Sequence, residues 1–390
     1  MSRALLVAAL VVLAVLAYLT GLRPAFILAY MLVLLFGIAW GWPRLVVRGL
    51  SIRRSIDAGS AVVGTEFEET FELRKRSWLP APWIEVQDLT RLDGYRSSRI
   101  LSMARGRVTW RARGIYPRRG WMTFGPTRLV VREPFGIFVR ERRAGGRHQV
   151  LVHPRVVPMP WLSLGSDEQS ATGWRPGRPA DYPPETSGVR DYQPSDTHGR
   201  IHWGLSLRHQ RLMSRTFEQA ESSDLWIVLD LCHRAHAGQG AESTLEYAVT
   251  LAASISAQVT RSGHGVGLLA TDNRGSIIEP RQGERPIMDF LAVADADGTR
   301  DLAEADIWRR LGTWERQAVI VITPDCGQGW LRLAPASRCP LLLFLFDAES
   351  FGGSPSPLAL SPTPSLEIFW IRRGDDLSRF RDRRAGALHV

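Results

Sequence analysis

Residues 4–42 form two long apolar segments separated by a short turn. Ala4–Thr20 and Ala25–Trp42 carry no charged residue, and Gly21-Leu22-Arg23-Pro24 lies between them. At 1.5 Å per residue each segment forms a helix of roughly 25 Å, close to the ~30 Å hydrocarbon core of a bilayer. The pattern predicts a transmembrane helical hairpin over residues 1–44, with two tryptophans, Trp40 and Trp42, at the membrane interface.

The charges around this hairpin predict its orientation. The hairpin turn carries only Arg23, whereas four arginines follow the second segment: Arg44, Arg48, Arg53 and Arg54. The positive-inside rule therefore places the body of the protein in the cytoplasm, with two spans in the inner membrane. A cleaved signal peptide is the competing interpretation, because Met1-Ser2-Arg3 precedes an apolar stretch. No clean small-x-small cleavage site precedes the second segment, which favours two spans.

Short segments rich in β-forming residues fill residues 45–155. Around Phe67 and Phe71, apolar and acidic positions nearly alternate, as in a strand with one face in water. Turn residues separate the segments, and no helical period is convincing. The pattern predicts an all-β, sandwich-like domain, with strands at Ser51–Asp57, Glu66–Arg74, Trp83–Thr90, Gly106–Arg113 and Thr127–Arg132.

Continuous apolar runs alternate with helical patterns over residues 222–390, which predicts a doubly wound α/β domain with a mostly parallel sheet. The predicted strands are Leu225–Asp230, Val266–Thr271, Ala318–Thr323 and Leu341–Phe346. The predicted helices are Glu242–Arg261, Arg285–Ala294 and Leu302–Leu311. Residues 156–221 form a linker between the two domains, and Trp161–Pro184 within it has the composition of an exposed loop.

Composition and charge narrow the class of function. The 390 residues are 45% hydrophobic and 23% charged, which is typical of a folded protein. The net charge of +10 is concentrated near the hairpin, since residues 1–150 hold 24 basic and 10 acidic residues, and the remainder 25 and 29. Anionic lipid explains this bias, so we predict no nucleic-acid partner. The three cysteines lack C-x-x-C spacing and indicate a reducing compartment.

Several motifs resemble one bacterial family. Arg113-Gly114-Ile115-Tyr116 and Glu133-Pro134-Phe135-Gly136-Ile137-Phe138 precede Arg190-Asp191-Tyr192-Gln193-Pro194-Ser195-Asp196 and Arg200-Ile201-His202-Trp203. Together they resemble the domain-of-unknown-function 58 family, although Ser195 replaces the usual glycine and the spacing to Arg200 is shifted. The resemblance implies a membrane-anchored protein with a von Willebrand factor A-like domain. It also implies a MoxR-type AAA+ ATPase as partner, in complex maturation or envelope stress.

Two interpretations apply to the residues of these motifs. Phe135, Ile137 and Phe138 are expected to fill a core beside a turn. In the later segment, guanidinium and carboxylate groups can form forked pairs, either as an internal clamp or as a surface that binds a protein; catalysis is a third reading. The predicted clamp or partner-binding residues are Arg190, Tyr192, Asp196, Arg200, His202, Trp203, Arg208, Arg215 and Glu218.

The end of the first predicted strand of the α/β domain, Leu225–Asp230, is a candidate position for a metal site. Von Willebrand factor A-like domains can bind Mg²⁺ through D-x-S-x-S at this point, and Asp230 occupies the Asp position. Cys232 and Arg234 stand where the two hydroxyls belong, so we predict no cofactor. Weaker candidate ligands, Thr323 and Asp325, keep an altered site open; Thr271, Asp272 and Asp347 also follow predicted strands.

The function that this sequence predicts is non-enzymatic. The chain lacks the G-x-x-x-x-G-K-[ST], H-E-x-x-H and G-x-S-x-G motifs. The sequence therefore carries no motif typical of these three common enzyme classes. We expect a membrane-anchored scaffold or assembly factor that binds the ATPase and other membrane or envelope proteins. The alternatives are a metal-dependent hydrolase and a metal-binding adhesion module, both using carboxylates at strand ends.

Overall fold

The chain folds into two compact units, residues 1–153 and 154–390. The computed structural model describes residues 3–21, 23–57, 61–90, 92, 94–95, 97–159, 186–192, 203–217, 224–304, 308, 318–325, 328–331, 341–354 and 366–378. The predicted loop at 161–184 and most of the predicted helix at 302–311 lie outside these residues.

Two helices begin the first unit. Helix α1 spans Arg3–Thr20 and lies against α2, which spans Arg23–Arg48. Within the described part of the chain, one helix, α2, is long and apolar enough to cross a membrane. This helix supports the prediction that the chain is anchored in a membrane. The number of spans and their orientation stay predictions.

In the described part of the first unit, nine antiparallel strands follow the helices: β1 (Leu50–Asp57), β2 (Glu66–Lys75), β3 (Ala81–Asp88), β4 (Arg99–Met103), β5 (Gly106–Ile115), β6 (Gly120–Phe124), β7 (Thr127–Arg132), β8 (Val139–Ala144) and β9 (His148–Val152). Three sheets result, with orders β1-β2-β5, β4-β3-β7-β8 and β6-β9. The five predicted strands are confirmed as β1, β2, β3, β5 and β7. The four other strands were not predicted.

The two larger sheets bury their inner faces in one core. Phe71 and Leu73 of β2 pack in the same cluster as Ile84 of β3 and Leu129 of β7. Phe71 also stacks on Trp110 of β5, with ring centroids 5.2 Å apart. Each of these side chains alternates with a more exposed neighbour, because successive residues of a strand point to opposite faces.

The same alternation corrects the placement of Arg54 among the juxtamembrane charges. Arg54 follows Ile52 on the inward face of β1 and is buried. Its guanidinium forms ion pairs with Glu69 of β2 and Asp88 of β3. Paired carboxylates neutralise this charge inside the core, so Arg54 contributes nothing to the cationic surface beside the membrane.

The prediction that Phe135 fills a core is wrong. Phe135 is 59% exposed, in the turn between β7 and β8, and its neighbours Pro134 and Gly136 are exposed as well. Ile137 and Phe138 are half-buried. Phe138 packs against α2, with its ring centroid 5.1 Å from that of Phe36 in an edge-to-face arrangement.

The second unit begins with a hairpin of β10 (Thr186–Asp191) and β11 (Met213–Phe217), joined through helix α3 (Trp203–His209). A six-stranded sheet follows, built from β12 (Leu225–Leu229), β13 (Val266–Ala270), β14 (Ile277–Ile278), β15 (Ala318–Thr323), β16 (Leu341–Phe346) and β17 (Leu366–Ile371). Helices α4 (Thr244–Arg261) and α5 (Glu284–Val293) connect strands of this sheet. The four predicted strands and two of the predicted helices are confirmed, with end shifts of one or two residues.

The sheet has the order β14-β13-β12-β15-β16-β17, and each pair is parallel except β13 with β14. Helices α4 and α5 pack against one face, on residues such as Ile227 and Ile320. The opposite face carries Trp226 and Val321, which cluster with the stacked rings of Trp308 and Trp330. Burial on both faces explains the unbroken apolar runs of these strands.

Candidate functional site

Three strands of the second unit end at the same edge of the sheet. Leu229 of β12 is level with Ala270 of β13 and with Ile322 of β15. The next residues are Asp230, Thr271 and Thr323, and all three are buried. Because parallel strands present their carboxyl ends together, this register brings one carboxylate and two hydroxyls into contact.

Asp230 receives hydrogen bonds on both carboxylate oxygens. Oδ1 accepts from Thr271 Oγ1 at 2.9 Å and from the Cys232 backbone N–H at 3.0 Å. Oδ2 accepts from Thr323 Oγ1 at 2.6 Å. Each threonine hydroxyl in turn accepts a backbone N–H, from Leu231 at 2.7 Å and from Asp325 at 2.9 Å. The network ties the ends of β12, β13 and β15 together.

Burial dominates the electrostatics of this carboxyl group. Loss of water raises the pKa of Asp230, and the hydrogen bonds from Thr323 and the Cys232 N–H offset part of that rise. His236 approaches the same strand end, with Nε2 2.8 Å from the Asp230 carbonyl oxygen and Nδ1 3.0 Å from Thr244 Oγ1. The imidazole therefore joins β12 to the start of α4.

A cavity of about 480 Å³ opens beside Asp230. Its charged lining comes from Arg234, Asp301, Glu304 and Asp325, together with His236. Arg234 is exposed, and within the described ranges it forms no ion pair. A guanidinium in this position presents donors for a carboxylate that arrives from outside.

The donor set does not fit a divalent cation. Thr271 and Thr323 donate their hydroxyl protons to Asp230, and each also accepts a backbone N–H, so each oxygen keeps a single lone pair for a cation. Arg234 adds a positive charge, and the thiol of Cys232 is a soft donor that suits Mg²⁺ poorly. In the described ranges, no three His, Cys, Asp or Glu side chains lie together in a geometry suited to a metal.

Two further strand-end carboxylates serve local contacts. Asp272 accepts from the Ser276 backbone N–H at 2.7 Å and from its hydroxyl at 2.6 Å, which closes a turn. Asp347 lies 3.2 Å from Arg372 Nε. Neither residue lines the cavity beside Asp230. Of the candidate ligands, the structure brings together Asp230, Thr323 and the backbone of Asp325.

The predicted clamp residues are only partly described. Asp196, Arg200, His202 and Glu218 lie outside the described residues. In the β10–β11 ladder Arg190 pairs with Ser214, and Arg215 pairs with Val189, so the two arginines are not cross-strand partners. Tyr192 donates its backbone N–H to the Leu212 carbonyl at 2.9 Å. Trp203 and Arg208 are exposed on α3. The clamp stays a prediction.

Other contacts hold this hairpin where the structure describes it. The buried hydroxyl of Ser206 accepts the Met213 backbone N–H at 2.9 Å and joins α3 to β11. Arg211 and Asp191 form an exposed ion pair at 3.2 Å. Sequence reasoning attributed no role to Arg211. A basic residue two positions before the second strand gave no sign of an ion-pair partner on the first strand.

Comparison with known proteins finds a family match for part of the chain. Residues 188–340 match the family described as "Protein of unknown function DUF58", which confirms the resemblance over that segment. An uncharacterized protein of Bacillus subtilis (strain 168), YeaD, is 28% identical over 114 residues, or 28% of this chain and 27% of that protein. The match thus spans little more than a quarter of the relative.

One solved structure covers a similar share of the chain. The crystal structure of BslA, a bacterial hydrophobin, matches 27% of this chain and 99% of its own, at 14% identity. The TM-score is 0.18, which carries no argument about fold or function.

Proposed function

We propose that this protein is a membrane-anchored, non-enzymatic scaffold that binds a protein partner at the strand-end cavity of its second unit. The observation that supports this most is the contrast between two neighbouring side chains, Asp230 and Arg234. The Asp230 carboxylate is buried and fully hydrogen-bonded, whereas the neighbouring Arg234 is exposed and forms no ion pair in the described ranges. A buried carboxylate held in this way stabilises the strand ends, and the free guanidinium is left for recognition.

The second unit is proposed to be a von Willebrand factor A-like domain. Numbered from β12, its strands have the order 3-2-1-4-5-6, which is a doubly wound arrangement. Ligands of such sheets bind at the carboxyl ends of the strands, where the cavity lies. In place of a bridging cation, Arg234 would bind an acidic side chain of the partner directly.

The proposed partner is the MoxR-type AAA+ ATPase that the family resemblance implies, in complex maturation or envelope stress. The proposed location is the cytoplasmic face of the inner membrane, with α1 and α2 as two spans. Helix α2 supports the anchor by its length and composition. The excess of arginine near the hairpin supports the orientation.

Purification of the tagged full chain from gently solubilised membranes tests the proposal. The ATPase, identified by mass spectrometry, should copurify with the unaltered chain, and Arg234→Glu should reduce its recovery by about tenfold, since the reversed charge repels a carboxylate. Arg281→Glu is the matched control, because Arg281 is exposed and follows Pro280, which lies close to Gly265 just before the amino end of β13.

The outcomes separate the parts of the proposal. Recovery of the ATPase with the control variant and its loss with Arg234→Glu supports the cavity as the binding site. Equal recovery with both variants moves the binding site elsewhere on the chain. If the unaltered chain recovers no ATPase, the proposed partner is wrong.

A further inference from the structure

The turn between β7 and β8 is apolar and exposed at its tip. Residues 134–139 are Pro-Phe-Gly-Ile-Phe-Val, without a charge, and residues 134–136 are exposed. Phe135 leaves 59% of its surface uncovered. Polar residues are usual in turns that face water, so this composition indicates an apolar environment for the tip.

The backbone N–H groups of this turn bind acceptors within the turn itself. Glu133 is 2% exposed, and its carboxylate accepts the backbone N–H groups of Phe135, Ile137 and Phe138, the last at 2.8 Å. The Glu133 carbonyl accepts the Gly136 N–H at 3.1 Å. Pro134 has no N–H to satisfy. Every backbone N–H from 134 to 138 therefore has an acceptor, which lowers the cost of placing these donors beside lipid.

The position of the turn along α2 gives its depth. Phe138 packs on Phe36. Phe36 precedes Trp42 by six residues, or roughly 9 Å along the helix axis. Trp42 donates its indole N–H to the Pro80 carbonyl at 3.0 Å, which fixes the strands beside the end of the helix. Since tryptophans mark the membrane interface, the turn extends below it on the lipid side.

Cations surround the base of the turn. Arg132 precedes it and Arg140 follows it, and Arg140 is exposed. Arg44 of α2 stacks over the Trp40 ring at 3.7 Å. Arginines at this level suit the anionic headgroups of a bilayer, while the apolar tip suits the acyl chains beneath them.

We propose that the β7–β8 turn, residues 133–138, is a wedge that inserts into the bilayer beside α2 and fixes the β-sheet unit against the membrane surface. The proposal rests on the proposed membrane anchor. Its occupant is lipid, at the boundary between headgroups and acyl chains. Glu133 holds the turn rigid, and Phe135 provides the inserted ring.

A depth measurement in liposomes tests the wedge. The full chain, with Cys232→Ala, Cys326→Ala and Cys339→Ala, carries Phe135→Cys labelled with an environment-sensitive fluorophore and is reconstituted in phosphatidylethanolamine and phosphatidylglycerol. Nitroxide on the acyl chains should quench this label at least about threefold more than aqueous iodide does, as expected for insertion. Pro134→Cys provides a second attachment site that leaves Phe135 intact.

Ile115→Cys is the matched control. Ile115 is 54% exposed and pairs with Glu66, nine positions along the β2–β5 ladder from the Lys75–Gly106 pair beside the start of β1. At about 3.3 Å per residue this is roughly 30 Å away. Its label should respond to iodide and not to the lipid nitroxide.

An alkaline wash of the same membranes separates the wedge from the anchor. A chain that the wash releases overturns both proposals. A chain that stays in the membrane while the label at 135 responds to iodide as the control does overturns the wedge alone. A label at 135 that neither quencher reaches also overturns it, because protein then covers the turn.

Discussion

Asp230 accepts hydrogen bonds from three places in the chain. Its removal should therefore destabilise the ends of all three strands. Asp230→Ala leaves the hydroxyls of Thr271 and Thr323 without their acceptor in a buried site. We expect the free energy of unfolding to fall by about 2–4 kcal/mol, since hydrogen bonds to a charged group contribute about 1.5–3 kcal/mol each and are not additive. Urea unfolding of the full chain in detergent, followed by pulse proteolysis, measures this loss.

Asp272→Ala is the control for that measurement. Asp272 also binds a serine at a strand end, but it is only partly buried. Its loss should stay below about 1 kcal/mol. Equal losses for the two variants would show that Asp230 does not tie the strands together.

The raised pKa of Asp230 predicts a pH dependence of stability. Burial makes the folded chain hold this proton to a higher pH than the unfolded chain does. The favourable contribution is thus fully present below the ordinary Asp pKa of about 4 and is lost as the pH rises through the folded value. Asp230→Asn does not titrate. We expect the loss of stability caused by Asp230→Asn to be larger at low pH and to shrink as the pH rises.

The comparison of the unaltered chain with Asp230→Asn cancels the titration of the other carboxyl groups. Urea midpoints of both proteins at several pH values give the difference. A difference that is constant with pH, or that grows as the pH rises, contradicts the assigned direction of the shift.

Arg54 is the second residue whose role can be measured directly. Arg54→Met leaves Glu69 and Asp88 without a cation inside the β-sheet core. Breaking a buried ion pair from one side costs about 3–5 kcal/mol. The pKa of Glu69 is already raised by burial, so its protonation should make the loss smaller at low pH. Arg53→Met is the control, because Arg53 is exposed on the same strand.

The free energy of unfolding should fall by no more than about 0.5 kcal/mol for Arg53→Met and by several times that for Arg54→Met. This result would support a buried ion pair at Arg54. Similar small losses for both would mean that water reaches the Arg54 site. The urea midpoint of the full chain in detergent distinguishes these results.

At the site, the sequence could identify positions and not partners. The end of the first apolar run located Asp230, and Cys232 and Arg234 marked the departure from a metal site. That Thr271 and Thr323 bind this carboxylate depends on the register of β13 and β15 against β12, which no local pattern encodes. Glu133 was missed for a related reason, because an acidic residue beside a turn is usually solvated.

Among the elements, the buried central strands were predictable, and so were the edge strands β1 and β5, whereas the edge strands β4 and β8 were not. Strands β12, β15 and β16 are buried on both faces and read as apolar runs. Strands β4 and β8 are the two edges of their sheet, and β8 consists of Val-Arg-Glu-Arg-Arg-Ala with no fully buried residue. The charged strand β8 shows no alternation because its four central residues are all exposed, and such charges oppose edge-to-edge association.

The β7–β8 turn provides the prediction at this scale. Glu133→Gln replaces one acceptor oxygen by an amide that donates, so a buried backbone N–H in the turn loses its partner. We expect a loss of about 1–3 kcal/mol in the free energy of unfolding in detergent. Glu141→Gln is the control, since Glu141 lies on β8 and forms a surface ion pair with Arg128.

The Glu141→Gln variant should change stability by less than about 1 kcal/mol, as exposed ion pairs do. Equal effects of the two glutamine variants would mean that the turn does not depend on the Glu133 carboxylate. Urea midpoints under identical detergent conditions provide the comparison.

For the whole molecule, the charges beside the helices should decide which side of the membrane holds the two units. Arg44 and Arg48 lie near the end of α2, and the hairpin turn at its start carries only Arg23. A hairpin places the flanks of both helices on one side, and the positive-inside rule assigns that side to the cytoplasm. Arg54 no longer counts, because it is paired inside the core. A fluorescent protein fused after Val390 should therefore fluoresce, and alkaline phosphatase in the same place should stay inactive.

Moving the charges tests the cause of that orientation. Arg44→Ser with Arg48→Ser removes the cations at the end of α2, and added lysines beside Arg23 create the opposite bias. Because charge asymmetry sets the orientation, the combined variant should gain phosphatase activity and lose fluorescence. A matched control adds the same lysines far from the helices and should change neither signal. Phosphatase activity from the unaltered chain would reverse the topology and make the cavity at Asp230 a surface for partners outside the cytoplasm.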